Sequence, residues 1–214
     1  MDNSDLRKEI ISTVQSFNAT GLSVGKSGNL SARIKDGFLI TPTGISYDEL
    51  ESEFIVGVDL KGNIFSGQLK PSSELPFHRA IYASRDEINA VIHVHSPYAT
   101  GIACTHQDIP AFHYMVAVAG GDTIRCAPYA TLGSEALSRN ALEALADRRA
   151  CLLANHGMIA LGENIQSAFS LAQEVETLAK QYWISKQAGD PVLLENEEMA
   201  IILEKFKTYG KQKL

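Results

Sequence analysis

The sequence has 214 residues, of which 45% are hydrophobic and 21% are charged, and its formal net charge is −6. This length and composition predict a single globular domain that spans residues 1–214. The negative charge argues against nucleic acid or an anionic membrane as a partner, because both repel an acidic surface. The sequence also has no uninterrupted apolar run long enough to cross a bilayer.

Cysteine usage and the N-terminal segment favour a cytoplasmic location. Cys104, Cys126 and Cys151 are an odd number of widely spaced cysteines, and no Cys-x-x-Cys motif occurs. This pattern is typical of reduced thiols in a cytosolic protein. The first residues are polar and have no apolar core of the kind found in a secretion signal.

The first third of the chain predicts a helix followed by antiparallel strands. Ile10 and Val14 belong to an apolar series at helical spacing, which predicts a helix over residues 4–19. The Asp36-Gly37 pair is typical of a tight hairpin turn between two apolar runs. The predicted strands cover residues 30–34, 38–40, 55–59 and 64–65.

The middle of the chain predicts helices that alternate with strands. Ser73 directly before Glu74 is a helix-start signature, and the residues around it predict a helix over 71–84. The β-branched run that contains His93 and His95 predicts a strand. We also predict a helix over residues 97–106 and an apolar strand over residues 113–118.

The last third predicts three helices and two short strands. The helices cover residues 133–147, 165–188 and 196–206, the strands cover residues 150–154 and 159–161, and a basic tail covers residues 207–214. Helices before, between and after the strands predict an α/β fold, a three-layer α/β/α domain with a central, mostly antiparallel sheet.

Two histidines on the central predicted strand suggest half of a metal site. His93 and His95 are two residues apart, so their side chains project from the same face of the strand. His156 follows another central strand, and Glu74 opens a helix. Three imidazoles and one carboxylate suit Zn²⁺ or another divalent transition ion. His78, one helical turn after Glu74, is a rival ligand.

Three turns rich in small and hydroxyl residues are candidates for binding phosphate. Exposed backbone N–H groups and a helix start favour an anion, whereas the alternative interpretation is ordinary turn chemistry. The sequence has no P-loop motif. The candidate residues are Gly28, Asn29, Thr43, Gly44, Ser72 and Ser73.

Two tyrosines, Tyr114 and Tyr209, are candidate proton donors. The alternative for each is simple packing, which is the commoner role of a tyrosine.

Several segments together, in this order along the chain, resemble the class II aldolase/adducin family. They are Ser-Gly-Asn-Leu-Ser at 27–31, Ile-Thr-Pro-Thr-Gly-Ile at 40–45, Pro-Ser-Ser-Glu at 71–74, His-Val-His at 93–95 and Asn-His-Gly at 155–157.

The resemblance implies a metal-dependent aldolase. Such an enzyme cleaves a ketose 1-phosphate reversibly to dihydroxyacetone phosphate and a small aldehyde through a metal-stabilised enediolate. The sugar would be L-fuculose 1-phosphate or a related deoxypentulose or pentulose 1-phosphate. The family also implies a homotetramer with active sites at subunit interfaces.

The resemblance further implies a role for each matching residue. One divalent ion per subunit, with zinc expected first and manganese or cobalt as alternatives, would be held by His93, His95, His156 and Glu74. Glu74 would also act as the acid/base during turnover. The six turn residues named above would hold the substrate phosphate, and Tyr114 and Tyr209 would lie near the aldehyde.

Three other functions within the same family stay open at this point. The pentulose-5-phosphate 4-epimerase branch has an aspartate at the position of Glu74, so the longer side chain favours an aldolase. A non-catalytic adducin-like module is expected to lack the metal ligands. A decarboxylase or dehydratase on the same fold would differ in its products.

Overall fold

The computed structural model describes residues 3–208, and one eight-stranded sheet runs through it. The strands are β1 (Asn29–Ile34), β2 (Gly37–Ile40), β3 (Val56–Val58), β4 (Ile64–Ser66), β5 (Ala90–Val94), β6 (Cys126–Ala127), β7 (Ala150–Leu153) and β8 (Gly157–Gly162). Their order across the sheet is β4-β3-β2-β1-β5-β8-β7-β6. The pair β6–β7 is parallel and the other neighbouring pairs are antiparallel, which confirms the predicted mostly antiparallel sheet.

Six α-helices accompany the sheet in the described part of the chain. They are α1 (Ser4–Ala19), α2 (Leu75–Ser84), α3 (Pro97–Ala103), α4 (Glu135–Ala144), α5 (Ile165–Ala188) and α6 (Asn196–Phe206). The long helix α5 begins at a capping box in which Asn164 and Ser167 satisfy each other's backbone N–H groups. Within residues 3–208, no helix combines the length and apolar character needed to span a membrane.

Alternate residues of the central strands face two separate cores, as the period of two along a strand requires. On β8, Met158 and Ala160 pack into the core that contains residues of α1, α3 and α5. Ile159 and Leu161 pack into the opposite core, which contains residues of α2 and α4. The sheet is therefore covered by helices on both faces, which confirms the predicted α/β/α layering.

The prediction of a strand over residues 113–118 is wrong. The segment Tyr114–Ala119 is a 3₁₀ helix, in which the His113 ring accepts a hydrogen bond from the Met115 backbone N–H. Gly120 ends it in the left-handed conformation with φ +92°. A short apolar run does not distinguish a buried helical turn from a strand, and the following glycine is a common helix-ending residue.

Some predicted boundaries also move. Helix α2 begins at Leu75 rather than at residue 71, because Pro71 pairs with Pro42 in an isolated β-bridge. Helix α3 ends at Ala103 rather than at residue 106. The two-residue strand β6 was not predicted from the sequence. Residues 209–214 of the predicted tail lie outside the described residues.

The candidate site lies where β1, β5 and β8 meet the start of α2. Asn29 pairs with His93 across β1 and β5, and Val94 pairs with Met158 across β5 and β8. Glu74 is the N-cap residue of α2. Strand β5 therefore holds His93, His95 directly follows the end of this strand, His156 directly precedes β8, and a helix start supplies the carboxylate.

Replacing Gly37 with alanine is expected to destabilise the protein strongly. Gly37 has φ +151°, and a Cβ at this position would overlap the Val58 carbonyl oxygen of the neighbouring strand. We expect Gly37→Ala to lower the free energy of unfolding by about 3 kcal/mol, measured by chemical denaturation. Gly21→Ala is the control, because Gly21 has φ +74° but open space around it, and we expect a loss of only about 1 kcal/mol. Equal losses for the two variants would contradict the steric argument.

Candidate metal centre and anion pocket

The four predicted metal ligands converge on one point. The His93 Nε2 atom lies 2.9 Å from His95 Nε2 and 2.9 Å from Glu74 Oε2. The His156 Nε2 atom lies 3.1 Å from Glu74 Oε1. One ligand atom from each residue lies within 4.8 Å of the other three.

These separations fit a cation-sized gap. Four ligands about 2.0–2.2 Å from one tetrahedral ion stand roughly 3.3–3.6 Å apart. The three imidazole rings surround the gap with centroids 4.7–4.9 Å apart and interplanar angles of 65–76°. The residues present therefore fit a divalent metal ion with a three-histidine and one-carboxylate ligand set.

A backbone carbonyl determines which nitrogen of His93 carries the proton. His93 Nδ1 lies 2.9 Å from the Met158 carbonyl oxygen, which only accepts hydrogen bonds, so Nδ1–H is the donor. The Nε2 atom of the neutral ring then has a free lone pair directed at the gap. Such an orienting partner behind a histidine is typical of metal ligands.

Glu74 is an ionised carboxylate that is almost fully buried. Glu74 is 5% exposed. Its Oε2 atom accepts a hydrogen bond of 3.0 Å from the Asn29 amide, and its buried Oε1 atom faces His156 Nε2 at 3.1 Å. Burial raises the pKa of Glu74, but the charges and hydrogen bonds of His93 and His156 outweigh burial and leave the pKa well below its ordinary value. This negative charge needs a proton on the rings or a bound cation beside it.

His95 is held in the neutral form that binds metals. Burial, followed by the like charges of His93 and His156, lowers the pKa of His95 to about 4. A ligand that is already deprotonated at neutral pH binds a cation without first releasing a proton.

The structure brings the three predicted phosphate-binding turns together. The Pro42–Pro71 bridge and the Ser72 N–H bond of 3.0 Å to the Thr41 carbonyl join the second turn to the third. The Leu30 N–H bond of 3.3 Å to Thr41 Oγ1 joins the first turn to the second. Thr43, Gly44 and Ser73 are exposed there, whereas Gly28, Asn29 and Ser72 are buried.

A lysine adds positive charge beside these three turns. The exposed Lys26 ammonium donates to the Gly44 carbonyl oxygen at 2.7 Å, so it bridges the first and second turns. Backbone N–H groups, hydroxyls and one ammonium are the groups that hold a phosphate.

Of the two predicted tyrosines, Tyr114 lies in the described part of the chain, and it is not one of the four clustered residues. Tyr114 is 45% exposed, stacks on His113 with ring centroids 4.8 Å apart, and lines a cavity of about 550 Å³ that includes Phe112 and Phe206. Tyr209 lies outside the described residues.

Two contacts at the site were not predicted from the sequence. The rival ligand His78 also has an environment that differs from that of the four predicted ligands. His78 is fully buried with both ring nitrogens hydrogen-bonded, so it offers no free lone pair to a metal. Asn29, expected to hold phosphate, donates its side-chain amide to Glu74. No motif in the sequence marks the Met158 carbonyl. Ser31, whose hydroxyl contacts the His78 ring, does carry a signal, because it lies two residues after Asn29 and so projects from the same face of the strand.

Comparison with known proteins identifies the family. The family model described as "Class II Aldolase and Adducin N-terminal domain" matches residues 8–183. The chain belongs to the class II aldolase and adducin family. A 5-methylthioribulose-1-phosphate/5-deoxyribulose-1-phosphate aldolase of Rhodospirillum rubrum is 50% identical over 96% of this chain and 92% of its own length. The L-fuculose phosphate aldolase of Escherichia coli K12 is 47% identical over 98% of each chain.

A solved structure agrees with this membership. The structure named "L-fuculose 1-phosphate aldolase" superimposes with a TM-score of 0.93 at 44% identity, covering 97% of this chain and 98% of the other. Family membership and these curated aldolase relatives identify the chain as a class II aldehyde-lyase.

Replacing Gly157 with alanine is expected to weaken metal binding. A Cβ at this position would overlap the Val94 carbonyl oxygen and lie 2.8 Å from His95 Cδ2, so the His95 ring would have to move. We expect Gly157→Ala to lower metal affinity about 10- to 100-fold, measured by competition with a coloured chelator. Gly101→Ala is the control, because nothing lies within 4 Å of its Cβ. Unchanged affinity in folded Gly157→Ala would contradict the tight fit behind the histidines.

Proposed function

We propose that this chain is a metal-dependent aldolase that cleaves a ketose 1-phosphate reversibly to dihydroxyacetone phosphate and a small aldehyde. The observation that carries the proposal is the convergence of three imidazoles and a buried carboxylate beside turns rich in small and hydroxyl residues. A phosphate in the turns would present the adjacent carbons of the substrate to Glu74.

In this proposal His93, His95, His156 and Glu74 hold one divalent ion. When bound, the ion supplies Lewis acidity that stabilises negative charge developing on a substrate oxygen. Zinc is our first choice, and manganese or cobalt suit the same ligands.

Glu74 would carry the proton in this reaction. Its Oε1 atom receives no amide hydrogen bond and faces the His156 ring at 3.1 Å, so we assign to this oxygen the proton taken from a substrate carbon and returned to it. The Asn29 amide on Oε2 holds the other oxygen in place.

The lysines support a metal-dependent route rather than a Schiff base. No lysine is among the buried residues of the described chain, and the contacts of Glu74 are with imidazoles and an amide. A lysine that forms an imine needs a desolvated environment to become a nucleophile at neutral pH.

The names of the relatives limit the candidate sugar phosphate substrates to a small group. Their names specify aldolases of fuculose, 5-deoxyribulose and 5-methylthioribulose phosphates. We place L-fuculose 1-phosphate first, followed by the deoxypentulose phosphates, and a panel of these ketose 1-phosphates assayed for released dihydroxyacetone phosphate decides between them. Free aldehyde among the products excludes the epimerase alternative.

Further parts of the proposal concern the assembly. We propose a cytoplasmic homotetramer of single-domain subunits in which Gly28, Asn29, Thr43, Gly44, Ser72 and Ser73 bind the phosphate. Tyr114 and Tyr209 would act near the aldehyde, with at least one of them reaching a neighbouring subunit's site. The 45% exposure of Tyr114 is compatible with a role at a subunit boundary.

Removing the metal is expected to abolish cleavage, whereas borohydride is expected to leave it intact. A chelator that strips the ion should stop release of dihydroxyacetone phosphate, and added Zn²⁺, Mn²⁺ or Co²⁺ should restore it. Borohydride added with substrate should not inactivate the enzyme, because no imine forms. Inactivation by borohydride together with resistance to chelator would overturn the proposal.

Replacing Glu74 with glutamine is expected to stop proton transfer. An amide of nearly the same shape accepts no proton from carbon, so exchange of the dihydroxyacetone phosphate proton with solvent should fall about 10²- to 10⁴-fold. Exchange is measured by NMR in D₂O and expressed per bound metal ion. The exposed Glu163→Gln variant is the control. Exchange at the normal rate in metal-loaded Glu74→Gln would remove Glu74 from the role of base.

A further inference from the structure

A continuous chain of buried hydrogen bonds ends on Glu74. Tyr82 OH lies 2.9 Å from Ser31 Oγ, and Ser31 Oγ lies 2.6 Å from His78 Nδ1. His78 Nε2 lies 2.6 Å from Asn29 Oδ1, and the Asn29 amide nitrogen lies 3.0 Å from Glu74 Oε2. The chain thus links the last turns of α2 to the carboxylate at its start, through two residues of β1.

The direction of every bond in this chain is determined. The Glu74 carboxylate only accepts, so the Asn29 side chain turns its N–H to Glu74 and its oxygen to His78. That oxygen also only accepts, so His78 Nε2 carries the proton. The Nδ1 atom of the neutral ring then accepts from the Ser31 hydroxyl, which in turn accepts from Tyr82.

The surroundings keep the chain in this one state. Ser31, His78 and Tyr82 are each 0% exposed, so water does not replace a partner. Burial lowers the pKa of His78 to about 3 and raises the pKa of Tyr82 above its ordinary value, so the ring stays neutral and the phenol keeps its proton. The Arg33 guanidinium lies 4.8 Å from the centroid of the Tyr82 ring and anchors the far end of the chain.

We propose that His78 is a positioning residue for catalysis. Its Nε2–H holds the Asn29 oxygen so that the Asn29 amide directs an N–H at Glu74 Oε2, and the Ser31 hydroxyl, backed by Tyr82, donates to the other ring nitrogen and keeps the ring in place. This inference rests on the proposed function, because its consequence is for the proton transfer by Glu74. With Oε2 held, Oε1 is the oxygen left to exchange a proton with substrate.

A purely structural role for the same residues makes different predictions. If the chain only satisfied buried polar groups, breaking it would lower stability but leave the chemical step of the remaining folded enzyme unchanged. If the chain orients Asn29, breaking it leaves the amide free to rotate, so a carbonyl oxygen can face Glu74. The proton-transfer rate per folded, metal-loaded molecule then falls while substrate binding changes little.

The tautomer of His78 tests the chain without any activity measurement. In protein labelled with ¹⁵N-histidine, long-range ¹H–¹⁵N spectra are expected to show His78 as neutral with the proton on Nε2, both without metal and with bound Zn²⁺. A proton on Nδ1, or on both nitrogens at neutral pH, would reverse the bond directions and overturn the inference.

Two substitutions at His78 distinguish the role of its N–H donor from the role of the imidazole ring itself. Glutamine can place an amide N–H where Nε2–H lies, so His78→Gln is expected to keep proton exchange within about 3-fold of wild type, whereas His78→Leu should lower it about 10- to 100-fold. Metal content and KM are measured beside the exchange rate and should change little. Normal exchange in folded His78→Leu would overturn the inference.

Matched serine variants keep the test decisive if His78→Leu does not fold. Ser31→Ala removes the hydroxyl that donates to His78 Nδ1 and should lower exchange about 10-fold, whereas Ser138→Ala, at another buried serine on α4, should leave it unchanged. Equal rates for the two serine variants would overturn the inference. A wild-type enzyme without exchange would instead refute the proposed function, while the tautomer measurement would still decide the direction of the chain.

Discussion

The hydrogen bonds that hold β5 between β1 and β8 determine where the groups of the site point. Because neighbouring side chains of a strand face opposite sides of the sheet, a slip of one residue in β5 would turn His93 into the core on the opposite side of the sheet. The pairing of Asn29 with His93 and of Val94 with Met158 prevents that slip. The same pairing brings the Asn29 amide to Glu74 and the Met158 carbonyl to His93, so strand register and site geometry are one constraint.

A buried negative charge is the second constraint. Removing a carboxylate such as Glu74 from water costs several kcal/mol unless positive charge and hydrogen bonds replace the lost water. Here three imidazoles and one amide surround it. The metal-site histidines and the buried hydrogen-bond chain through His78 therefore both stabilise the Glu74 carboxylate, from two different sides. The histidines supply positive charge, and the chain through His78 fixes the direction of the hydrogen bond from Asn29.

Residues with strong local signals were predictable from the sequence. The apolar periodicity of α1 and α5 predicted both helices, because each presents one apolar stripe to a sheet. The spacing of His93 and His95 predicted a shared face, since the period of a strand depends on backbone geometry alone. The prediction of a strand at Tyr114–Ala119 was wrong because the apolar residues of this segment pack equally well from a 3₁₀ helix. The contacts of the segment with the core decide between a strand and a 3₁₀ helix.

By itself, the sequence determined most of the helices and strands, the layering of helices on a mostly antiparallel sheet, and the family with its candidate ligands. These depend on periodicity and on motifs that are readable within a few residues. Only the tertiary structure decided that His78 faces Asn29 rather than a metal, and that the Asn29 amide contacts Glu74. Both depend on strand register and on the start of α2 at Leu75, where residues 45–49 positions apart in the chain meet. Local preferences carry no information about such distant contacts.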